Sequence, residues 1–107
     1  SQVVDLNEGE KEMLHHIIVK WNSNVDKKEM ADKVRSMYAK ADEIPGVHRV
    51  EIRENVIPRE NRYDIMIVLD MNESSLPTWD ASELHKQWKE KFGGFIEKKC
   101  IFDCETP

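Results

Sequence analysis

Met13–Asn22, MLHHIIVKWN, is the stretch on which the reading of the whole chain turns. It is the most apolar run in a polar sequence, and Ile17, Ile18 and Val19 are β-branched, so it reads as a strand. Alternation places Met13, His15, Ile17, Val19 and Trp21 on one face. Leu14, His16, Ile18 and Lys20 take the other. Both faces are largely apolar, which suits a strand covered on both sides and central in its sheet. The two adjacent histidines point opposite ways and cannot chelate one metal together. We expect His15 to face a partner subunit. His16 is expected on the helix side, where it can orient a ligand oxygen.

Downstream, Ser23–Asp26 reads as a turn. Asp26 followed by Glu29 has the form of a capping box, the first side chain taking an orphan N–H and the second reaching back. A helix is expected to run from there to about Asp42, with Met30, Val34, Met37, Tyr38 and Ala41 recurring at three and four. Ile44-Pro-Gly-Val47 ends it, because Pro45 cannot continue a helix and Gly46 permits a turn. Val47–Ile57 is a second strand and Tyr63–Met71 a third. The short polar link Pro58–Arg62 between them implies an antiparallel hairpin. Asn72–Ser75 is the next turn. Leu76–Phe92 is helical, as a short turn holding Pro77 and a longer piece from about Asp80, with Ala81, His85, Trp88 and Phe92 on one stripe. Gly93-Gly94 stops it, and the closing strand lies within Phe95–Cys104. His48 falls at the turn into the second strand and Asp70 at a strand end, in solvent.

Composition sets limits on this reading. The chain has 107 residues, 35% charged and 39% hydrophobic, with a formal net charge of −5. That length fits one domain with a modest core, which a dimer interface would enlarge. An acidic chain without a basic stripe is repelled by phosphates, so no nucleic-acid partner is expected. No run approaches the ~18 apolar residues of a membrane span, and no signal-peptide pattern is visible. Cys100 and Cys104 lie four residues apart. In a strand their Cα atoms are about 13 Å apart, too far for a disulfide. Their spacing is that of neither a zinc knuckle nor a redox motif. Both read as reduced packing residues, which points to the cytoplasm.

The order strand, helix, strand, strand, helix, strand uses a βαβ unit twice. Right-handed crossovers put both helices on one face of a four-stranded antiparallel sheet, a ferredoxin-like βαββαβ α+β sandwich. The other face is apolar and uncovered, and two such faces packed together give a twofold homodimer with a barrel-like core. Residues 1–12 read as an N-terminal extension and residues 13–105 as the domain.

The set His16-Ile-Ile-Val, Ile44-Pro-Gly-Val47, Tyr63-Asp64, His85 and Ile101-Phe102-Asp103, in this order and at these intervals, resembles the stress-responsive dimeric α/β-barrel (Dabb) family over about residues 13–105. The resemblance implies dimerisation through the uncovered sheet face. Most members of that family have no assigned activity, and one is a polyketide cyclase. In that enzyme a first-strand histidine and a last-helix histidine act in a cavity between sheet and helices, aided by a tyrosine. By motif these histidines correspond to His16 and His85. The tyrosine position carries Trp79, whose indole donates a hydrogen bond but lacks a phenol's acidity.

Three functional expectations follow. The first is a homodimer without assigned catalysis, binding a small apolar or aromatic ligand among Tyr38, Trp79, Trp88 and Phe92. The chain has no cofactor motif, nucleophile constellation or phosphate loop. The second is a cofactor-free cyclase- or lyase-like enzyme, with His85 as base and His16 orienting the substrate. The third is haem or metal chemistry at His85, or at His16, His85 and Asp103 together, although that spacing matches no ligand motif. No cofactor and no metal are therefore expected.

Overall fold

A computed structural model describes residues 10–107. The expected N-terminal extension, residues 1–12, thus lies mostly outside the described residues. The elements are β1 (Glu12–Trp21), α1 (Lys27–Tyr38), β2 (Val47–Glu54), β3 (Ile65–Asn72), α2 (Leu76–Asp80), α3 (Glu83–Phe92) and β4 (Ile96–Glu105). The sheet order is β2-β3-β1-β4, with every neighbouring pair antiparallel. This is the ferredoxin-like α+β fold, and β1 is central in it, as its two apolar faces require. Ile17 lies opposite Ile67 on one side and Ile101 on the other.

The helices pack on one face only. Met30, Val34 and Tyr38 recur at i, i+4 and i+8 on α1 and are buried. Trp79 of α2 and Trp88 and Phe92 of α3 join them. Trp21 meets this layer directly, its ring centroid 6.4 Å from Trp88 and 6.0 Å from Phe92. The parity of β1 is fixed by that contact. Met13, His15, Ile17, Val19 and Trp21 are buried under the helices, whereas Leu14, His16, Ile18 and Lys20 are only half-buried on the other face. The expected sides of the two histidines are therefore exchanged: His15 faces the helices and His16 the open face. The physical reason is volume. Three helices deliver four large aromatic side chains, and the strand face that carries Trp21 has the apolar bulk to match them.

Local chemistry explains the boundaries. Asp26 accepts the Glu29 N–H at 3.0 Å, while the Glu29 carboxylate pairs forward with Lys33 at 3.2 Å instead of reaching back. Ile44–Val47 is a β-turn closed by Val47 N–H to Ile44 C=O at 2.9 Å, with Gly46 at φ 86°. Pro at its second position and a left-handed Gly at its third is type II chemistry. The second and third strands are shorter at the hairpin end than expected, although the Asp64 main chain still bridges its neighbours, its C=O accepting the Asn55 N–H at 2.9 Å and its N–H donating to the Val19 C=O at 2.8 Å. Its carboxylate accepts the Trp21 N–H at 2.8 Å and pairs with Lys27 at 3.0 Å. Asp70 is not in solvent. It is 9% exposed, held by Arg49 at 2.9 Å, and this carboxylate keeps the guanidinium above its ordinary pKa.

Candidate functional site

A cleft of about 310 Å³ opens between the β1–β4 pair and the α2–α3 pair. Its apolar lining is Ile17, Leu76, Trp79, Trp88 and Ile101. Its polar lining is His15, Asp80, His85, Lys89, Lys99 and Asp103. The volume is at the small end of the ~300–1,000 Å³ of ligand sites, enough for one small aromatic molecule.

His15 enters this cleft from the sheet. It is 6% exposed and directly opposite Asp103 in the antiparallel ladder. Its Nδ1 lies 2.5 Å from Asp103 Oδ1. An ionised carboxylate only accepts, so Nδ1 carries the proton and Nε2 offers a lone pair.

His85 enters from the helix layer, and a helix break places it. Ser82 Oγ accepts the His85 N–H at 3.1 Å, capping α3, and donates to the Trp79 carbonyl at 2.7 Å, closing α2. His85 therefore stands in the first turn of a new helix, its ring edge-on to Trp79 at 5.1 Å. Its Nδ1 donates to the Asp80 carbonyl at 2.9 Å. A carbonyl oxygen cannot donate, so this tautomer too leaves Nε2 basic. Neither Nε2 has a hydrogen-bond partner among the described residues.

The other expected site residues are distributed differently. His16 is across the sheet from the cleft, its Nδ1 donating to Phe102 C=O at 2.9 Å and its ring edge-on to Phe102. His16, His85 and Asp103 therefore do not converge. His48 pairs with Asn72 Oδ1 at 2.8 Å, at the start of the edge strand β2. Trp79 and Trp88 line the cleft, while Tyr38 and Phe92 form the layer behind them. Tyr38 lies 5.9 Å from Trp79 and 5.6 Å from Trp88, and Phe92 lies 5.0 Å from Trp88, centroid to centroid. The Tyr38 hydroxyl is buried without a partner, and burial pushes its phenol pKa well up. Among the described residues no group of three or more His, Cys, Asp or Glu side chains could hold a metal ion.

Sequence reading missed His15 and the two lysines as lining residues, and named Asp103 only as a metal ligand. The available signal was parity: His15 shares its face with Trp21. A larger groove of about 1,440 Å³ runs between α1 and α3 on the outside of the helix layer. Its lining, which includes Met30, Met37, Ile44, Leu84 and Phe95, contains no histidine, cysteine or tyrosine; its ionisable groups are the lysines and glutamates Lys33, Lys40, Glu43, Glu83 and Lys91.

Fold and cleft together define a class: a ferredoxin-like α+β protein with an uncovered sheet face and a histidine-lined cleft under its helices. No family model and no curated protein matches the chain. Solved structures do. A dimeric ferredoxin-like protein of unknown function from Thermobifida fusca is similar with a TM-score of 0.79 and 14% identity, over 98% of this chain and 100% of that one. A dimeric protein of unknown function and ferredoxin-like fold from Bacteroides fragilis gives 0.75 and 15%, over 89% and 96%. The hydroxynitrile lyase of Passiflora edulis gives 0.73 and 13%, over 91% and 94%. At these identities the likeness is one of fold. No helix among the described residues is long and apolar enough to cross a membrane.

Proposed function

We propose that this chain is a Dabb-type domain spanning residues 13–105, a cytoplasmic homodimer joined through its open sheet face. In this reading each subunit carries a cofactor-free acid–base site of the cyclase or lyase type in the cleft under its helices. The observation that carries it is the pairing of His15 and His85. The two rings come from different elements, line one cleft, and each have Nδ1 committed to a fixed acceptor. His85 is the base. His15, oriented by Asp103 through Nδ1, takes the place expected of His16 and presents Nε2 to the substrate's oxygen, accepting a hydrogen bond from a hydroxyl group there. The substrate is a small aromatic or apolar carbonyl or hydroxyl compound. A fold neighbour that is a hydroxynitrile lyase supports proton removal from such a compound.

The test is cleavage of an aromatic hydroxynitrile, followed by release of the aldehyde, together with deuterium exchange at an activated C–H. Turnover is expected to fall about 100-fold or more in His85→Ala and about tenfold or more in His15→Ala, the range for a lost general base and its partner. His16→Ala is expected to retain the rate. Equal rates in all four proteins would leave the second reading, a ligand-binding homodimer without turnover. That reading is favoured by the mutual stacking of Tyr38, Trp79, Trp88 and Phe92 as core.

A further inference from the structure

The cleft has two chemically different ends. In the β1–β4 ladder His15 is opposite Asp103, Ile17 opposite Ile101, and Val19 opposite Lys99. Lys99 and Asp103 thus share one face of β4, their Cα atoms about 13 Å apart along the strand. α3 runs the same way as β1, because Phe92 near its end packs on Trp21 at the end of β1. Lys89, one turn beyond His85, is therefore displaced toward the same end as Lys99. Both lysines line the cleft, and neither forms an ion pair with a described residue. Asp103 is engaged by His15, and Asp80 also lies at the histidine end, where its main-chain carbonyl holds His85. Between the two ends the floor is Ile17, Trp88 and Ile101. Negative charge is thus disfavoured beside the histidines and favoured at the lysines, with an apolar span between.

We infer that the ligands of this cleft are small aromatic or apolar carboxylic acids. The carboxylate is held between Lys89 and Lys99, the hydrocarbon body lies over Ile17, Trp88 and Ile101, and the reacting carbonyl or hydroxyl group is presented to His15 and His85. This rests on the acid–base reading of the cleft and adds the substrate class and its orientation. Lys89 and Lys99 are specificity-determining residues; they take no part in proton transfer.

The experiment is a titration of the full chain with 3-phenylpropanoate and with its neutral isostere 3-phenylpropanamide. It is followed by the ring-proton NMR signals of His15 and His85, assigned from His15→Ala and His85→Ala. The acid is expected to bind about tenfold more tightly than the amide, the order of one solvated charge-assisted contact. That preference should shrink at about 0.5 M salt, where the Debye length is roughly 4 Å. In Lys89→Met/Lys99→Met, both exposed positions, acid and amide affinities should converge to within about twofold. Equal binding of acid and amide by the wild type, or a preference that survives the double substitution, overturns the inference while the cleft remains a binding site. If neither probe shifts either histidine at millimolar concentration, the cleft reading itself fails, and this inference with it.

Discussion

Adjacent residues of one strand have separate chemical fates here. His15 is buried against Asp103 in a cleft, and His16 lies against Phe102 on an open sheet. One residue of parity makes the difference, so a motif that reads two histidines in a row does not say which of them meets His85. Tyr38 shows the same dependence on surroundings. Its stripe position identified it as an inward residue, but only packing removed every partner from its hydroxyl. An unpartnered buried hydroxyl costs about 1–3 kcal/mol, so Tyr38→Phe should raise stability by about 1 kcal/mol at neutral pH, read by urea denaturation. The pH dependence follows from the raised phenol pKa. Below about pH 10 the phenol is protonated folded and unfolded alike, and it contributes no slope. Above that, the unfolded chain releases the proton and the folded chain retains it. The wild type should then lose roughly 1.4 kcal/mol per pH unit relative to Tyr38→Phe. Parallel stability curves for the two proteins between pH 10 and 11 would contradict this (a range set by the ordinary phenol value).

At the scale of elements, the joints position the site. The break between α2 and α3 exists because Ser82 caps the second helix and bonds the last turn of the first, and it sets His85 over the sheet. The short turn expected around Pro77 is α2, and the longer piece expected from about Asp80 begins at Glu83, after the capping serine, with Ala81, expected on the stripe, exposed at the break. The turn at Ile44–Val47 was legible in full, since Pro and Gly at those two places have one conformation in common. Gly46 is irreplaceable on two counts: its φ is 86°, and a Cβ there would overlap the Ser75 side chain. Gly46→Ala is expected to lower stability by about 2 kcal/mol or more, through left-handed strain plus overlap. Adding Ser75→Gly should recover the overlap part and leave the strain. A urea midpoint within error of the wild type for Gly46→Ala would show that the turn has another conformation open to it.

The whole molecule presents an edge strand and an uncovered face. β4 is exposed along most of its length, and Phe102 is 57% exposed on the face opposite the helices, beside Leu14 and Ile18 of β1. In the proposed homodimer the apolar part of this face is the interface, and two fold neighbours are described as dimeric. By sedimentation velocity at micromolar concentration the wild type should run at twice the chain mass. Phe102→Asp should run as a folded monomer, because burying an unpaired carboxylate in an apolar contact is prohibitive. A dimeric Phe102→Asp protein would place the interface elsewhere. The sequence by itself determined the element order, the caps and turns, the fold class and the centrality of β1, because alternation, helical periodicity and Pro-Gly chemistry are local. It also placed His85 on the helix stripe that carries Trp88 and Phe92. Only the tertiary structure decided which face of β1 the helices cover. With that came the pairing of His15 with Asp103, the burial of Asp70, and the placing of Lys89 and Lys99, from two separate elements, along one cleft. The reason is that a strand with two apolar faces is locally symmetric, and the symmetry is broken by the volume of side chains arriving from helices elsewhere in the chain.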